Sequence, residues 1–221
     1  MRRQQLSDEV ASYLRQAIMA GEIAPGTSVR AEALGEQLDV SATPVREALH
    51  ALRVEGFLDL APRKGFAVAP LTADDIRDIY EAHALIAGEL TARAAARVDD
   101  VQLSALRKVH DNLTEAARTG ATERLEQLNH EFHRDVYRIA GSERLRWALS
   151  TFVKYVPSAF YTQIDGWPET TAADHGEIFE ALEKRDPEKA RTLMAQHIRN
   201  SGEKLAEYFA SRQNAQVVAA G

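Results

Sequence analysis

Val40-Ser41-Ala42-Thr43-Pro44-Val45-Arg46-Glu47-Ala48-Leu49 reads as the start of a helix with one buried face and one working face. Val45, Ala48, Leu49 and Leu52 recur at i, i+3, i+4 and i+7, which makes a single apolar stripe. Arg46, His50 and Arg53 fall off that stripe and remain free to touch something else. Ser41 or Thr43 can cap the first turn, and Pro44 is tolerated there because first-turn N–H groups have no intrahelical partner. Hydroxyls, free N–H groups and an Arg at a helix start suit a phosphate backbone and base edges.

The flanks turn this helix into a motif. Upstream, Leu6, Val10, Leu14 and Ile18 repeat every four residues, which predicts a helix over about 7–20. Gly21-Glu22-Ile23-Ala24-Pro25-Gly26 breaks the chain. Ala31, Leu34 and Leu38 mark a short second helix, and Asp39-Val40 turns from it into the third, which Gly56 ends. Leu58 and Leu60, then Phe66 and Val68, alternate with polar or small residues on either side of the tip Pro62-Arg63-Lys64-Gly65. Three helices and a small hairpin make a winged helix-turn-helix over 1–70. Its third helix would lie in the major groove of double-stranded DNA and its hairpin would reach a neighbouring groove or backbone. The bland alternative is a helical subdomain with a solvated Arg face.

These stretches resemble the GntR family of bacterial transcription regulators. The resemblance rests on Gly21…Pro25-Gly26, Leu34…Leu38-Asp39-Val40-Ser41, Thr43-Pro44-Val45-Arg46-Glu47-Ala48-Leu49, Glu55-Gly56 and the wing from Pro62 to Val68. It implies operator contacts at Ser41, Thr43, Arg46, Arg63, Lys64 and Gly65. The family usually carries Arg between the Ser and the Thr, where this chain has Ala42, and some members carry Arg where this chain has Glu32.

Composition sets the bounds. The chain has 221 residues, 45% of them hydrophobic, enough for one or two cored domains. The net charge of −6 argues against nucleic acid taken as a sum. Residues 1–70 carry eight Lys/Arg against nine Asp/Glu, so most of the excess acid lies further on. DNA binding then depends on where the few cations sit, and few neutralised phosphates imply a modest salt slope. With no Cys there are no disulfides or thiolate metal sites, which fits a reducing cytoplasm. Arg2-Arg3 precede a polar run unlike a signal peptide, and no apolar run approaches membrane-spanning length. A cytoplasmic protein with no membrane partner is expected.

From Leu71-Thr72 onward the pattern is helical, with Thr72 and Asp75 as an imperfect capping box. Helices are predicted near 73–97, 100–118, 121–140, 143–163, 170–184 and 187–210. Gly120, Gly141, Gly166 to Pro168 and Asp186-Pro187 punctuate them. The expected fold is mainly α: the winged helix-turn-helix, then an all-α bundle of six or seven helices over 71–212 and a frayed tail over 213–221.

Asn129 and His133 are four apart and share a helix face; His175 and His197 lie on the next-to-last and last helices. Apolar neighbours place all of them on inner faces, where they can converge. Three imidazoles and an oxygen suit a borderline divalent metal such as Zn²⁺. By spacing alone, separate hydrogen-bonded core histidines are the competing reading. Residues from about 72 to 210 resemble the ligand-binding FCD domain of the FadR-type branch. The matching stretches are Leu71-Thr72-Ala73-Asp74-Asp75-Ile76, Phe132-His133 with Ile139-Ala140-Gly141, and His175-Gly176-Glu177-Ile178 through Asp186 to His197. In that family an Asp and three His often bind a metal. The His positions fall on His133, His175 and His197, and the Asp position falls on Asn129, a neutral and weaker ligand. Zn, Ni or Mn are the candidate ions. Many relatives carry Arg at His83 to pair with an effector carboxylate, so His83 is the implied effector residue, titrating near neutrality.

The resemblance implies a homodimeric, effector-responsive transcription regulator, a repressor, whose small-molecule effector shifts the arrangement of two reading heads on the operator. It implies no enzymatic activity. Two alternatives compete. One is a metal-dependent enzyme on the bundle, for which Glu131 lies about 160° around the helix from His133. The other is an apolar-ligand regulator with a vestigial metal site.

Overall fold

The computed structural model describes residues 2–61, 65–155 and 166–220, with side chains described over 4–61, 65–155 and 166–211. Its contacts divide the chain into two compact units, Met1–Ile76 with Ala206–Gly221, and Arg77–Leu205.

The first unit is built on α3 (Ala42–Val54), whose stripe Val45, Ala48, Leu49 and Leu52 is fully buried. α1 (Arg2–Met19) lays Val10, Ala11, Leu14 and Ile18 against it, and Arg15 Nε donates to Glu55 Oε2 at 2.7 Å where α3 ends. α1 begins upstream of the predicted start, since the polar run ahead of Leu6 propagates a helix it does not need to bury. α2 (Ala31–Leu38) ends at Asp39, which adopts the left-handed conformation (φ 55°), and the chain turns into α3. Ser41 is the N-cap residue of α3, but its side chain makes no cap hydrogen bond.

β2 (Leu58–Ala61) and β3 (Gly65–Val68) form the expected antiparallel hairpin, with Leu58 opposite Val68 and Leu60 opposite Phe66. A strand that sequence reading missed, β1 (Ser28–Val29), pairs with β3 on its other edge, giving the order β1-β3-β2. Two residues carry no periodicity, so only the pairing reveals it. Phe66 and Val68 are buried, but Leu60 is 53% exposed and does not join the core its alternation predicted. Arg63 and Lys64 lie outside the described residues. The C-terminal end of α9 belongs to this unit, where Phe209 shares an apolar cavity with Ile18, Met19, Val68 and Leu71.

The described elements of the second unit are all helices: α4 (Ala73–Arg97) from Arg77 onward, α5 (Asp100–Thr119), α6 (Thr122–Ile139), α7 (Glu143–Val153), α8 (Trp167–Glu183) and α9 (Pro187–Ala220) as far as Leu205. Several boundaries fall where the sequence placed them, for local reasons. Thr72 N–H donates to Asp75 Oδ2 (2.8 Å) while Asp75 N–H donates to Thr72 Oγ1 (3.1 Å), a reciprocal cap at the head of α4. Asp99 and Gln102 make a second such box on α5, and Asp186 Oδ1 accepts from Lys189 N–H (3.0 Å) at the start of α9. α7 stops at Val153 and is followed by a turn, short of the predicted 163; residues 156–163 of that prediction lie outside the described ones. α8 starts earlier than predicted, because Gly166 supplies the left-handed turn (φ 73°) and Pro168 sits in the first turn. α9 continues through residues 213–220, where the lack of periodicity predicts fraying.

α4 and α9 run antiparallel, tied by ion pairs Arg77–Glu203 (2.7 Å), Arg199–Glu81 (2.6 Å) and Arg191–Glu89. These pairs are partly exposed and worth little each. The close approach of the helices depends instead on missing side chains. A Cβ on Gly202 would sit 2.4 Å from Tyr80 Cβ, and one on Gly88 would sit 2.9 Å from the Arg191 carbonyl.

Gly202→Ala should therefore overpack the seam and cost about 1–3 kcal/mol. Thermal unfolding of the full chain checks this: a midpoint lowered by several degrees is expected, and an unchanged midpoint would mean α4 yields there without cost.

Candidate functional site

The three histidines expected to converge do so. His133 projects from α6, His175 from α8 and His197 from α9, and one ligand atom from each lies within 4.8 Å of the others. The ring centroids are 4.9 Å apart for His133–His175, 5.3 Å for His133–His197 and 4.9 Å for His175–His197. Asn129 lies one turn before His133 and lines the same cavity as His133 and His197. That cavity measures about 70 Å³, with Tyr80, His83, Tyr137, Trp167 and Ile198 in its walls. His175 is fully buried behind it, whereas His133 is half-buried because one edge of its ring opens on the cavity.

The hydrogen bonds assign a free nitrogen to two of the three rings. His197 Nδ1–H donates to Asp174 Oδ2 at 2.9 Å, which leaves Nε2 with the lone pair. With the Tyr137 hydroxyl donating to Met194 Sδ (3.6 Å), its oxygen accepts from His133 Nδ1–H (3.2 Å), and His133 Nε2 is likewise left as an acceptor. Burial pushes the Tyr137 phenol up, so it stays a neutral hydroxyl. Both nitrogens of His175 and Oδ1 of Asn129 are buried without any hydrogen-bond partner. An unpaired buried polar atom costs on the order of 1–3 kcal/mol, so several at one place call for a partner. Neutral imidazoles with free lone pairs plus an amide oxygen are a donor set that fits a borderline divalent ion. Asp174 supports His197 as metal-bound histidines are commonly supported. Sequence reasoning missed Asp174 and Tyr137. Asp174 is next to His175 in sequence, but its partner is a histidine on another helix.

Protonation follows from burial. Burial first, then the neighbouring His197 and His83, holds His133 well below the ordinary imidazole range; burial and then His133 and His197 do the same to His175. His83 is 6% exposed, with its Nδ1 unpartnered, and burial followed by the charge of His197 lowers it to about 4. This corrects the expectation that His83 titrates near neutrality. Its ring is a neutral group on the cavity wall at physiological pH. His110 is not among the residues lining the cavity; it stacks on Phe179 at 5.4 Å with a buried unpartnered Nδ1. Glu131 pairs with Arg134 at 3.6 Å and is not among the residues lining the cavity.

In the first unit Ser41, Thr43 and Arg46 are exposed along the outer side of α3, and exposed Gly65 opens β3 with φ 85°. Arg46 is not free: its guanidinium pairs with Glu32 at the start of α2.

A family model described as bacterial regulatory proteins, gntR family, matches residues 6–68, and one described as FCD domain matches residues 78–200. The chain belongs to the GntR family. It is a DNA-binding transcription regulator that carries an FCD effector-binding domain. Among curated relatives, this GntR regulator is 26% identical over 207 residues to the HTH-type transcriptional repressor RspR of Escherichia coli (strain K12), covering 92% of this chain and 90% of that one. It is 28% identical over 185 residues to the Nta operon transcriptional regulator of Aminobacter aminovorans, covering 83% and 86%. The solved structure of E. coli McbR/YncC shares the fold, with a TM-score of 0.69 at 23% identity over 92% of this chain and 98% of that one. The family and the relatives' names indicate a regulator and not an enzyme. No described helix is long and apolar enough to cross a membrane.

The buried histidines give stability a definite pH dependence. His83 titrates at 6.5 when unfolded and at about 4 when folded, so between those values the unfolded chain binds more protons and stability falls as pH falls. The full depression of His83 is worth on the order of 3 kcal/mol. Urea unfolding of EDTA-treated protein from pH 7.5 to 4.5 should show this loss, and His83→Gln should make the dependence shallower. An identical pH dependence in the variant would show that His83 is solvated or already protonated in the fold.

Proposed function

We propose that this regulator is a homodimeric repressor whose hold on its operator is set by a small carboxylate bound beside a divalent metal ion, Zn²⁺, Ni²⁺ or Mn²⁺. The observation that carries this reading is the meeting of His133, His175 and His197 at one cavity where Asn129 Oδ1 and both His175 nitrogens are buried without partners. The three imidazoles would hold the ion, and Asn129 would add a neutral oxygen in place of an anionic one, weakening the site without changing its reach. Bound there, the ion supplies a Lewis-acid anchor for an oxygen of the effector. Asp174 fixes the tautomer of His197 through its Nδ1–H. His83 offers the effector a neutral hydrogen-bonding ring.

On DNA, Ser41 and Thr43 at the start of α3 contact the backbone, Arg46 reads a base edge, and the wing residues Arg63, Lys64 and Gly65 reach the flanking groove. A homodimer presents two such heads to successive major grooves about 34–36 Å apart, and effector binding favours one arrangement of them over another. Acting on a bacterial operator places the protein in the cytoplasm.

Two measurements test the reading. Calorimetric titration of metal-stripped protein with Zn²⁺, Ni²⁺ and Mn²⁺ should give one site per chain. Asn129→Asp should tighten it, and Asp174→Asn should weaken it roughly 10–100-fold. No binding of any of the three ions to either wild type or Asn129→Asp would remove the metal from the mechanism. For the operator, Arg46→Ala should cost about 1–3 kcal/mol of binding to the duplex that the wild-type chain selects from a randomised pool. Unaltered affinity in a correctly folded variant would take Arg46 out of the interface.

A further inference from the structure

The acidic partner of Arg46 is an unexpected feature of the DNA-reading surface. Glu32 is the second residue of α2, and Arg46 the fifth of α3. Their side chains form an ion pair across the turn between the two helices, although both are more than 60% exposed and free to point into water. Glu32 is ionised at neutral pH, since the bond from Arg46 holds its carboxyl below the usual range. A carboxylate on a surface that must meet phosphates is an electrostatic cost, and Asp39 and Glu47 lie close by in sequence.

What the carboxylate can contribute is orientation. A guanidinium carries five N–H donors in a planar fork, and Glu32 engages the Nη2 end of it. The rest of the fork remains available to a guanine edge, whose O6 and N7 are read bidentately. An Arg already held in place loses less rotamer freedom on docking. The same Arg is less available to a phosphate, because a phosphate contact in any other direction requires the ion pair to break. Both effects widen the gap between specific and non-specific binding, the first by favouring the base contact and the second by disfavouring the phosphate contact.

We propose that Glu32 is a specificity-determining residue of the DNA interface, a positioning carboxylate that orients Arg46 toward a base edge and withholds it from the phosphate backbone. It acts through Arg46 and touches no base itself. The inference rests on the reading of Arg46 as an operator contact.

The test is a double-mutant cycle on the full chain with Glu32→Gln, Arg46→Ala and the pair combined, plus Glu32→Asp as the shortened acid. Each protein is titrated by fluorescence anisotropy with two duplexes, the sequence selected by the wild-type chain from a randomised pool and a random-sequence pool of the same length. Glu32→Gln is expected to bind random duplex several-fold more tightly and to lose discrimination between the two duplexes by about tenfold. Glu32→Asp, which keeps the charge but not the reach, is expected to lose discrimination as well. In the Arg46→Ala background, Glu32→Gln should leave discrimination unchanged. Equal gains on both duplexes would reduce Glu32 to simple repulsion and overturn the proposal. A loss of discrimination that persists without Arg46 would overturn it too, since Glu32 would then act on its own. If Arg46→Ala alone leaves discrimination intact, it is the operator role of Arg46 that fails, a result distinct from either of these.

Discussion

Three imidazole rings packed within 5.3 Å of one another, without a carboxylate between them, is an arrangement that water would ordinarily dissolve. Protonating His133 or His175 places a charge beside the neighbouring rings in a desolvated site, so these two are held in their neutral, lone-pair-bearing form. That state is also the one metal coordination requires, and a cation would occupy the place where the protein itself provides no donor. The surroundings are built to the same end. Asp174 and Tyr137 each engage Nδ1 of a ring, which leaves Nε2 with its lone pair. The helices that carry the rings are held by burial of their own apolar faces, and α4 meets α9 where Gly88 and Gly202 omit side chains. The rings are therefore positioned by elements that do not depend on them.

The DNA-reading unit follows a different economy. Its core is apolar and complete, with the inner face of α3 fully buried, so its outer face carries no structural duty. The chain as a whole is acidic, and the reading surface has few cations to spend on phosphates. Affinity for arbitrary DNA is accordingly expected to be low, and with the operator contacts proposed above recognition would depend on the placement of a small number of groups at the start of α3.

Much of this was legible from sequence where a signal is local. The stripe Val45, Ala48, Leu49 and Leu52 specifies both the existence and the inner face of α3. Thr72 with Asp75 fixes one helix start through a bond that spans three residues, and Asp186, just ahead of Pro187, fixes another by accepting from Lys189 N–H. Convergence of His133, His175 and His197 was reachable because each sits beside buried apolar neighbours on its own helix. The features that escaped notice depend on partners distant in sequence. β1 exists because Ser28 and Val29 meet Ala67 and Phe66. Asp174 gains its role from a residue on α9, and Arg46 is held by a residue on α2. The ionisation of His83 escaped for a related reason: its ordinary value says nothing about burial, and burial decides it.

The seam between α4 and α9 bears on more than stability. Tyr80 and His83 on one helix and His197, Ile198 and Ser201 on the other face the same cavity, so the spacing of the two helices sets its width. That spacing is held short where Gly88 and Gly202 bring backbone against the opposing helix. Two residues that offer no side chain to a ligand thus act as the gauge of what the cavity admits. A methyl in place of one hydrogen at either glycine would alter that width and leave every polar group of the cavity wall as it is.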